Sequence, residues 1–449
     1  MNRYQIIRNQ QGKVAVFDTK EQKQISQWWE RIENHGLIKG ESEYYIAENQ
    51  QSLQAIFHKD NPDKPISSWL DGIYEYGLVE GKSEYYIGRD NKWYKAIFHK
   101  DNPDAPISQW WHGIPVDGII AGQSEYYLAR NQDWQYAIFH KDNPNTPVSQ
   151  WWNDVYMYGV ITGDSPYYVV QNQYMKTAIF HINNPNEPIS QWHEHIYVDG
   201  LVKGNSEYYI AQNYNNRYAI FHKDNPDEPV SQWREHIQPF GLVDGESEYY
   251  IVINQHGKFA IFHKDNPYEP LSNWHDYMYP FGLINNTSEC YIIFDNSENT
   301  FQIYHINNKS QPLYELPNIS DSELIYFNDS IIIYITAEHL KLYNNITMEH
   351  DIISPLPETM QRIIQKIYNN SSSYTIDTVA TSQCISQYID QNFLPIVIKN
   401  LQRNSHLCYL FTTDGNYIKK FNSIKDMIDY IQKYTTKNQN FTCDILRLY

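Results

Sequence analysis

Ser83-Glu84-Tyr85-Tyr86-Ile87-Gly88-Arg89-Asp90-Asn91-Lys92-Trp93-Tyr94-Lys95-Ala96-Ile97-Phe98-His99 is the stretch that decides the fold of this chain. Its two ends are β-prone and its middle, Arg89-Asp90-Asn91-Lys92, is polar turn chemistry, so it reads as an antiparallel hairpin. On the return strand Tyr94, Ala96 and Phe98 share one face, and Lys95, Ile97 and His99 share the other. Apolar side chains on both faces predict burial on both sides.

Working outward, the same segment recurs in a fixed register. The serines that open it are Ser42, Ser83, Ser124, Ser165, Ser206, Ser247 and Ser288, each 41 residues after the last. Trp28, Trp69, Trp110, Trp151, Trp192, Trp233 and Trp274 keep the same step. Two ladders in one register establish a tandem repeat.

The rest of the unit follows from local chemistry. Lys100-Asp101-Asn102-Pro103-Asp104-Ala105-Pro106 is a stiff surface loop, because proline fixes φ and Asp and Asn favour turns. Ser108 then precedes Gln109-Trp110-Trp111-His112-Gly113-Ile114. The serine as N-cap, with Trp110 and Ile114 four apart, predicts a short helix. Gly118, equivalent to Gly36, Gly77, Gly159, Gly200, Gly241 and Gly282, is placed to end that helix in a left-handed cap. The following Ile119-Ile120-Ala121-Gly122 is expected to add a third short strand.

A unit of this size buries too little apolar area to offset its ordering entropy, so adjacent copies must share a core. The expected architecture is an α/β tandem-repeat solenoid of hairpin-plus-short-helix units over residues 1–314, about seven full units and a terminal hairpin. Residues 315–449 form a C-terminal α+β domain. A closed β-propeller-like ring is the alternative; a propeller blade wants four strands, and each unit supplies only two secure ones.

Beyond the repeats, Glu323–Phe327 and Ile331–Thr336 read as strands around a turn at Asn328-Asp329-Ser330. Pro355–Tyr368 has helical spacing and stops at Asn369-Asn370. Leu407–Phe411 and Tyr417–Phe421 read as a hairpin through Asp414-Gly415. Ser423 caps a helix carrying Ile424, Met427, Ile428 and Ile431.

Composition bounds the function. Hydrophobic residues make up 41% of 449 residues, with 40 Tyr and 12 Trp, which argues for a folded chain. A formal net charge of −18 repels phosphate backbones and anionic lipid. The expected partner is therefore another protein, of basic character, with no direct nucleic acid and no membrane. No signal-peptide pattern opens the sequence and no run approaches ~18 apolar residues, so a cytoplasmic protein is expected.

No phosphate loop, dinucleotide fingerprint, HExxH element or nucleophile elbow is present, and no cofactor is expected. The histidines His58, His99, His140, His181, His222, His263 and His305 form a ladder, but no cysteine or carboxylate series clearly completes a ligand set with them, so no metal is expected. Asp60, Asp101, Asp142, Asp224 and Asp265 recur from unit to unit like turn residues, with Asn183 breaking the set, whereas catalysis needs one special pair. His406 and Cys408 share a strand face, a weak pattern for a thiol with a nearby base.

The aromatics that vary between units are better candidates for recognition. Trp29, Trp111 and Trp152 become Leu70, His193, Arg234 and His275 in other copies, while Trp93 and Trp134 are answered by Ser52 and Met175. These five tryptophans are the candidate partner-binding residues of a protein-binding repeat scaffold, whose sharper form is an inhibitor or immunity-type neutraliser of a basic protein. Two alternatives stand beside it: an enzyme with a catalytic C-terminal domain and substrate-recruiting repeats, and an acidic nucleic-acid mimic.

Overall fold

The computed structural model describes residues 2–298, 300–316, 322–327, 331–336, 339–344, 349–355, 360–363, 374–388, 393–400, 405–413 and 416–438. The chain divides into two compact units, Met1–Trp233 and Arg234–Tyr449.

The first unit is a succession of small antiparallel sheets. The hairpin of Tyr85–Arg89 and Lys95–His99 pairs Tyr85 with His99, Ile87 with Ile97 and Arg89 with Lys95. A two-residue strand, Gly72–Ile73, lies on its outer edge against Gly88 and Arg89. Equivalent three-stranded sheets hold the hairpins beginning at Tyr44, Tyr167 and Tyr208.

No α-helix occurs in any of these repeats, which corrects the hairpin-plus-short-helix expectation. The segment after the proline loop is extended and zips two neighbouring hairpins together. Trp111 exchanges both backbone bonds with Lys95 of the preceding hairpin, each at 2.8 Å. The next residues turn to the following hairpin, His112 donating to the Arg130 carbonyl at 3.0 Å and Arg130 donating to that of Gly113 at 2.8 Å. A helix of one or two turns would start from a costly nucleus, and here the strand edges on both sides give Trp111, His112 and Gly113 backbone partners.

Ser108 is correspondingly no helix cap. Its buried hydroxyl accepts the Ile97 N–H at 2.9 Å and donates to the Gln109 carbonyl at 2.8 Å. The third strand expected at Ile119-Ile120 is a turn; the edge strand comes from the tryptophan segment instead. Gly77 does have a left-handed φ of 72°. Its reason is the strand beside it, since a Cβ there would fall on the Tyr85 carbonyl oxygen.

The hairpins are buried on both faces, as the alternation predicts. Tyr86, Ala96 and Phe98 pack with Ile46, Ile56, Ile73, Leu78 and Val79 from the preceding side. Ile87 and Ile97 face the next copy, among Ile114, Ile119, Ile120, Tyr127 and Phe139. Each such side chain contributes about 1.5–3 kcal/mol on full burial, and each copy supplies half of two cores. The opening serines add a hydrogen bond across these junctions: Ser42 to the Val79 carbonyl at 2.6 Å, Ser83 to Ile120 at 2.8 Å, Ser124 to Ile161 at 2.8 Å and Ser165 to Val202 at 2.5 Å.

The second unit begins with two more such sheets, one on Tyr249–Ile253 and Phe259–His263, the other on Cys290–Asp295 and Thr300–His305 with Tyr314–Leu316 as a fourth strand. Two four-stranded sheets follow, Ser322–Phe327 to Glu349–Pro355 and Tyr374–Ile376 to Tyr417–Phe421. Pro355 ends a strand where a helix was expected to start; residues 360–363 are helical, and the remainder of that helix and its stop at Asn369-Asn370 lie outside the described residues. So do the turns at Asn328–Ser330 and Asp414–Gly415.

The helices Thr378–Tyr388 and Ile424–Asn438 pack on the last sheet, burying Cys384, Tyr388, Met427 and Ile431 against Val397, Cys408, Leu410 and Phe421. Ser423 caps the second one as expected, accepting the Asp426 N–H at 3.0 Å. No helix among the described residues is long and apolar enough to cross a membrane.

Candidate functional site

The five candidate tryptophans fall into two groups. Trp29 is only 8% exposed and packs against Phe57 at 4.9 Å and Trp69 at 5.6 Å. Trp111 meets Phe139 at 5.1 Å and Trp151 at 5.5 Å; Trp152 meets Phe180 at 5.3 Å and Trp192 at 5.7 Å. These three are the inner rings of a repeated aromatic stack, Trp29 buried and Trp111 and Trp152 half-buried. The invariant series is the more open one: Trp28, Trp110 and Trp274 are exposed, and the others are half-buried.

Trp93 and Trp134 are a different matter, 70% and 69% exposed at the tips of their hairpins. The tip is a tight turn organised by one Asx side chain: Asp90 Oδ1 accepts the N–H groups of Lys92 and Tyr94, both at 2.9 Å, and the Asp90 carbonyl accepts the Trp93 N–H at 3.0 Å. This geometry forces the residue two before the return strand into a left-handed backbone. Its φ is 59° at Ser52, 70° at Trp93, 64° at Trp134, 63° at Met175 and 57° at Asn216. Gly12 and Gly257 hold the same place in other copies, at 83° and 72°.

Sequence reasoning singled out Trp93 and Trp134 by their variation but missed the turn geometry. It also missed Tyr174 and Tyr214, large exposed side chains on the next two tips; they stand two and one residues after the Asn that opens each turn, so no common spacing marked them.

The histidine ladder is an internal staple. His58 Nδ1 accepts the Asp60 N–H at 3.3 Å, which places its proton on Nε2, 3.2 Å from Glu43. The ring also meets Tyr44 edge-on at 5.1 Å. Carboxylates therefore do gather around the ladder, contrary to the sequence reading: Glu43, His58 and Asp60 bring ligand atoms within 4.8 Å of one another, as do Glu207, His222 and Asp224. The Lys59 ammonium bridges the first pair of acids, 2.8 Å from Asp60 and 3.2 Å from Glu43, and holds both carboxyls below their ordinary range. Lys223 does the same in the second.

In the last sheet His406 hydrogen-bonds Asp377 at 3.1 Å, and Asp377 also accepts the Ala380 N–H at the start of its helix. Cys408 lies in the core, where burial pushes its thiol up to about 12. A nucleophile needs the thiolate, so the pairing of this base with this thiol fails on both burial and charge.

No family model and no curated protein matches the chain. Among solved structures it is similar to one described as a eukaryotic initiation factor, at 10% identity over 93% of this chain and 95% of that one, with a TM-score of 0.30. It is similar to the C-terminal WD40 domain of Sif2 at 8% identity over 67% and 81%, TM-score 0.34, and to Kluyveromyces lactis Hsv2 at 10% identity over 60% and 93%, TM-score 0.27. Likenesses of this size carry no assignment of function.

Proposed function

We propose that the chain is a protein-recognition scaffold whose hairpin tips present an edge of aromatic and thioether side chains. The observation that carries this reading is the backbone under Trp93, Trp134 and Met175. A left-handed conformation costs a non-glycine residue about 1–2 kcal/mol, and an exposed side chain recovers little of that through packing. Glycine serves the same turn in two other copies, so large side chains at the middle ones are retained against a stability gradient. Strain of this kind gathers at functional sites, and aromatic anchors are enriched where proteins bind proteins.

The net charge of −18 favours a basic partner, which keeps the neutraliser form of the reading in play. Carboxylates tied locally to lysines, as around Lys59 and Lys223, favour a protein partner over imitation of a phosphate backbone. The repeats of residues 1–314 are the recognition part in this proposal, and residues 315–449 are a separate domain.

The test is affinity capture with the wild-type chain and with a Trp93→Gly, Trp134→Gly, Met175→Gly variant. The expected result is a stoichiometric protein retained by the first and lost by the second, although the second is the more stable. Equal retention by both would remove the tips from the recognition surface.

A further inference from the structure

The companion position of the aromatic stack is tryptophan in three copies, and in the copy that follows Trp192 it is His193. The imidazole keeps the place of the indole. It lies 5.1 Å from Phe221 and 6.5 Å from Trp233, where Trp152 lies 5.3 Å from Phe180 and 5.7 Å from Trp192. What is missing is the second ring of the indole, and an open cleft of about 210 Å³ stands there, lined by His193, Trp192, Trp233, Phe221, Tyr214 and Asp227 together with flanking polar side chains.

Three further observations give the cleft a chemistry. His193 is only 9% exposed and its Nε2 is buried without a hydrogen-bond partner. Burial pushes that ring down to about 4, so it brings no positive charge at neutral pH. The carboxylate of Asp227 accepts one bond, from Gln191 at 2.8 Å; the other acid on the rim, Glu194, is 3.5 Å from Lys176. One aromatic-walled carboxylate therefore stands ready for a cation.

The third observation is an internal precedent. One repeat later the companion residue is Arg234. Its guanidinium lies over the Phe262 ring at 4.6 Å and donates to the Pro267 carbonyl at 2.9 Å. The counterparts of that ring and that loop at the cleft are Phe221 and the segment ending in Asp227. The lattice thus already accommodates a guanidinium at this point, supplied there by the chain itself.

We infer that the cleft beside His193 is a subsite for the guanidinium of an arginine side chain presented by a partner protein, stacked on the aromatic walls and bonded to Asp227. Arginine fits better than lysine because its plane stacks and its fork pairs with a carboxylate. This rests on the protein-recognition reading above, and it adds a chemical class of contact at a place that shares Tyr214 with one hairpin tip but includes none of Trp93, Trp134 and Met175.

The test titrates the full chain with N-acetyl-arginine amide, followed by calorimetry and saturation-transfer NMR. Expected are saturable binding in the millimolar range, several-fold weaker binding of N-acetyl-lysine amide, and at least tenfold loss in His193→Trp, which installs the residue other repeats carry. Asp227→Asn should weaken binding while leaving the circular dichroism spectrum unchanged. No saturable binding, undiminished binding by His193→Trp, or tighter binding of neutral N-acetyl-tryptophan amide would each overturn the assignment. The Trp93→Gly, Trp134→Gly, Met175→Gly variant separates the two proposals. It should bind the arginine probe like wild type, and unchanged partner capture by that variant counts against the tips alone.

Discussion

The Arg89 guanidinium lies 3.9 Å from the centroid of the Trp93 ring, on a hairpin tip where Trp93 itself has a φ of 70°. Arg130 repeats the pairing over Trp134 at 4.1 Å. The cation covers one face of each indole, and the rings nevertheless remain mostly exposed. The arginine holds a strained ring in one orientation, as a presented contact requires.

The strain is measurable. Trp93→Gly and Trp134→Gly should each stabilise the chain by about 0.5–1 kcal/mol, the relief of the left-handed backbone less the lost ring contact and the added freedom of the unfolded state. Urea midpoints check this. Destabilisation by both substitutions would show that the indoles belong to the packed structure and are not displayed at its expense.

Ser108 and Ser83 should respond differently to replacement by alanine. Ser108→Ala leaves the buried Ile97 N–H without a partner and should cost about 1–3 kcal/mol. Ser83→Ala removes a half-buried bond to the Ile120 carbonyl and should cost about 0.5–1.5 kcal/mol. Thermal or urea unfolding of the two variants orders them; the reverse order would contradict the placement of Ser108 in the hairpin's own hydrogen-bond network.

Glycine substitutions separate turn geometry from close approach. Gly12 and Gly77 both have left-handed φ, but a Cβ at Gly12 meets nothing within 4 Å, whereas at Gly77 it meets the Tyr85 backbone. Gly12→Ala should cost about 1–2 kcal/mol and Gly77→Ala at least twice as much, with expression of the latter reduced. Equal losses would mean that the Tyr85 strand can move aside.

Much of this was legible in the sequence because the hairpin is a local object. Alternation placed Ala96 and Phe98 on one face and Ile97 on the other, and the two faces went to two different neighbours. The tryptophan segment was not legible, because Trp110 and Ile114 have helical spacing and Ser108 has capping chemistry. What decides against the helix is non-local: strand edges at Lys95 and Arg130 that exist only once both hairpins have formed. The site divided for the same reason. Variation marked Trp29, Trp111 and Trp152 as readily as Trp93 and Trp134, and only the turn's left-handed backbone and the stack's depth told them apart. Tyr214 is a single departure from the repeat, and the sequence marked His193, like His275, only as a replaced companion tryptophan, with nothing to show the cleft beside it.

Thiol chemistry is expected to be silent in the last sheet. Burial raises Cys384 to about 11 and Cys408 to about 12, and labelling requires the thiolate. Treatment of the native chain with iodoacetamide at about pH 8, followed by peptide mapping, should spare both, and denaturant should expose them. Rapid labelling of native Cys408 would reopen the case for a nucleophile beside His406.

Two buried groups should give the stability–pH curve opposite slopes. His193 is held near 4 against an ordinary 6.5; in that window the unfolded chain binds the extra proton, so its contribution is intact above about pH 6.5 and is lost as pH falls towards 4. Asp244 is the reverse case. Burial, with Glu246 nearby, raises its carboxyl to about 8 from an ordinary 3.8; the folded chain keeps the proton longer, so stability is greatest at low pH and declines as pH rises through that range. The two oppose each other below about pH 6.5, and Asp244 alone contributes between there and about 8. Urea midpoints taken across this range should therefore run nearly level on the acid side in the wild type, decline there with rising pH in His193→Gln, and lose the alkaline decline in Asp244→Asn. An alkaline slope that survives in Asp244→Asn would mean that this carboxylate is solvated in the folded chain and the decline has another source.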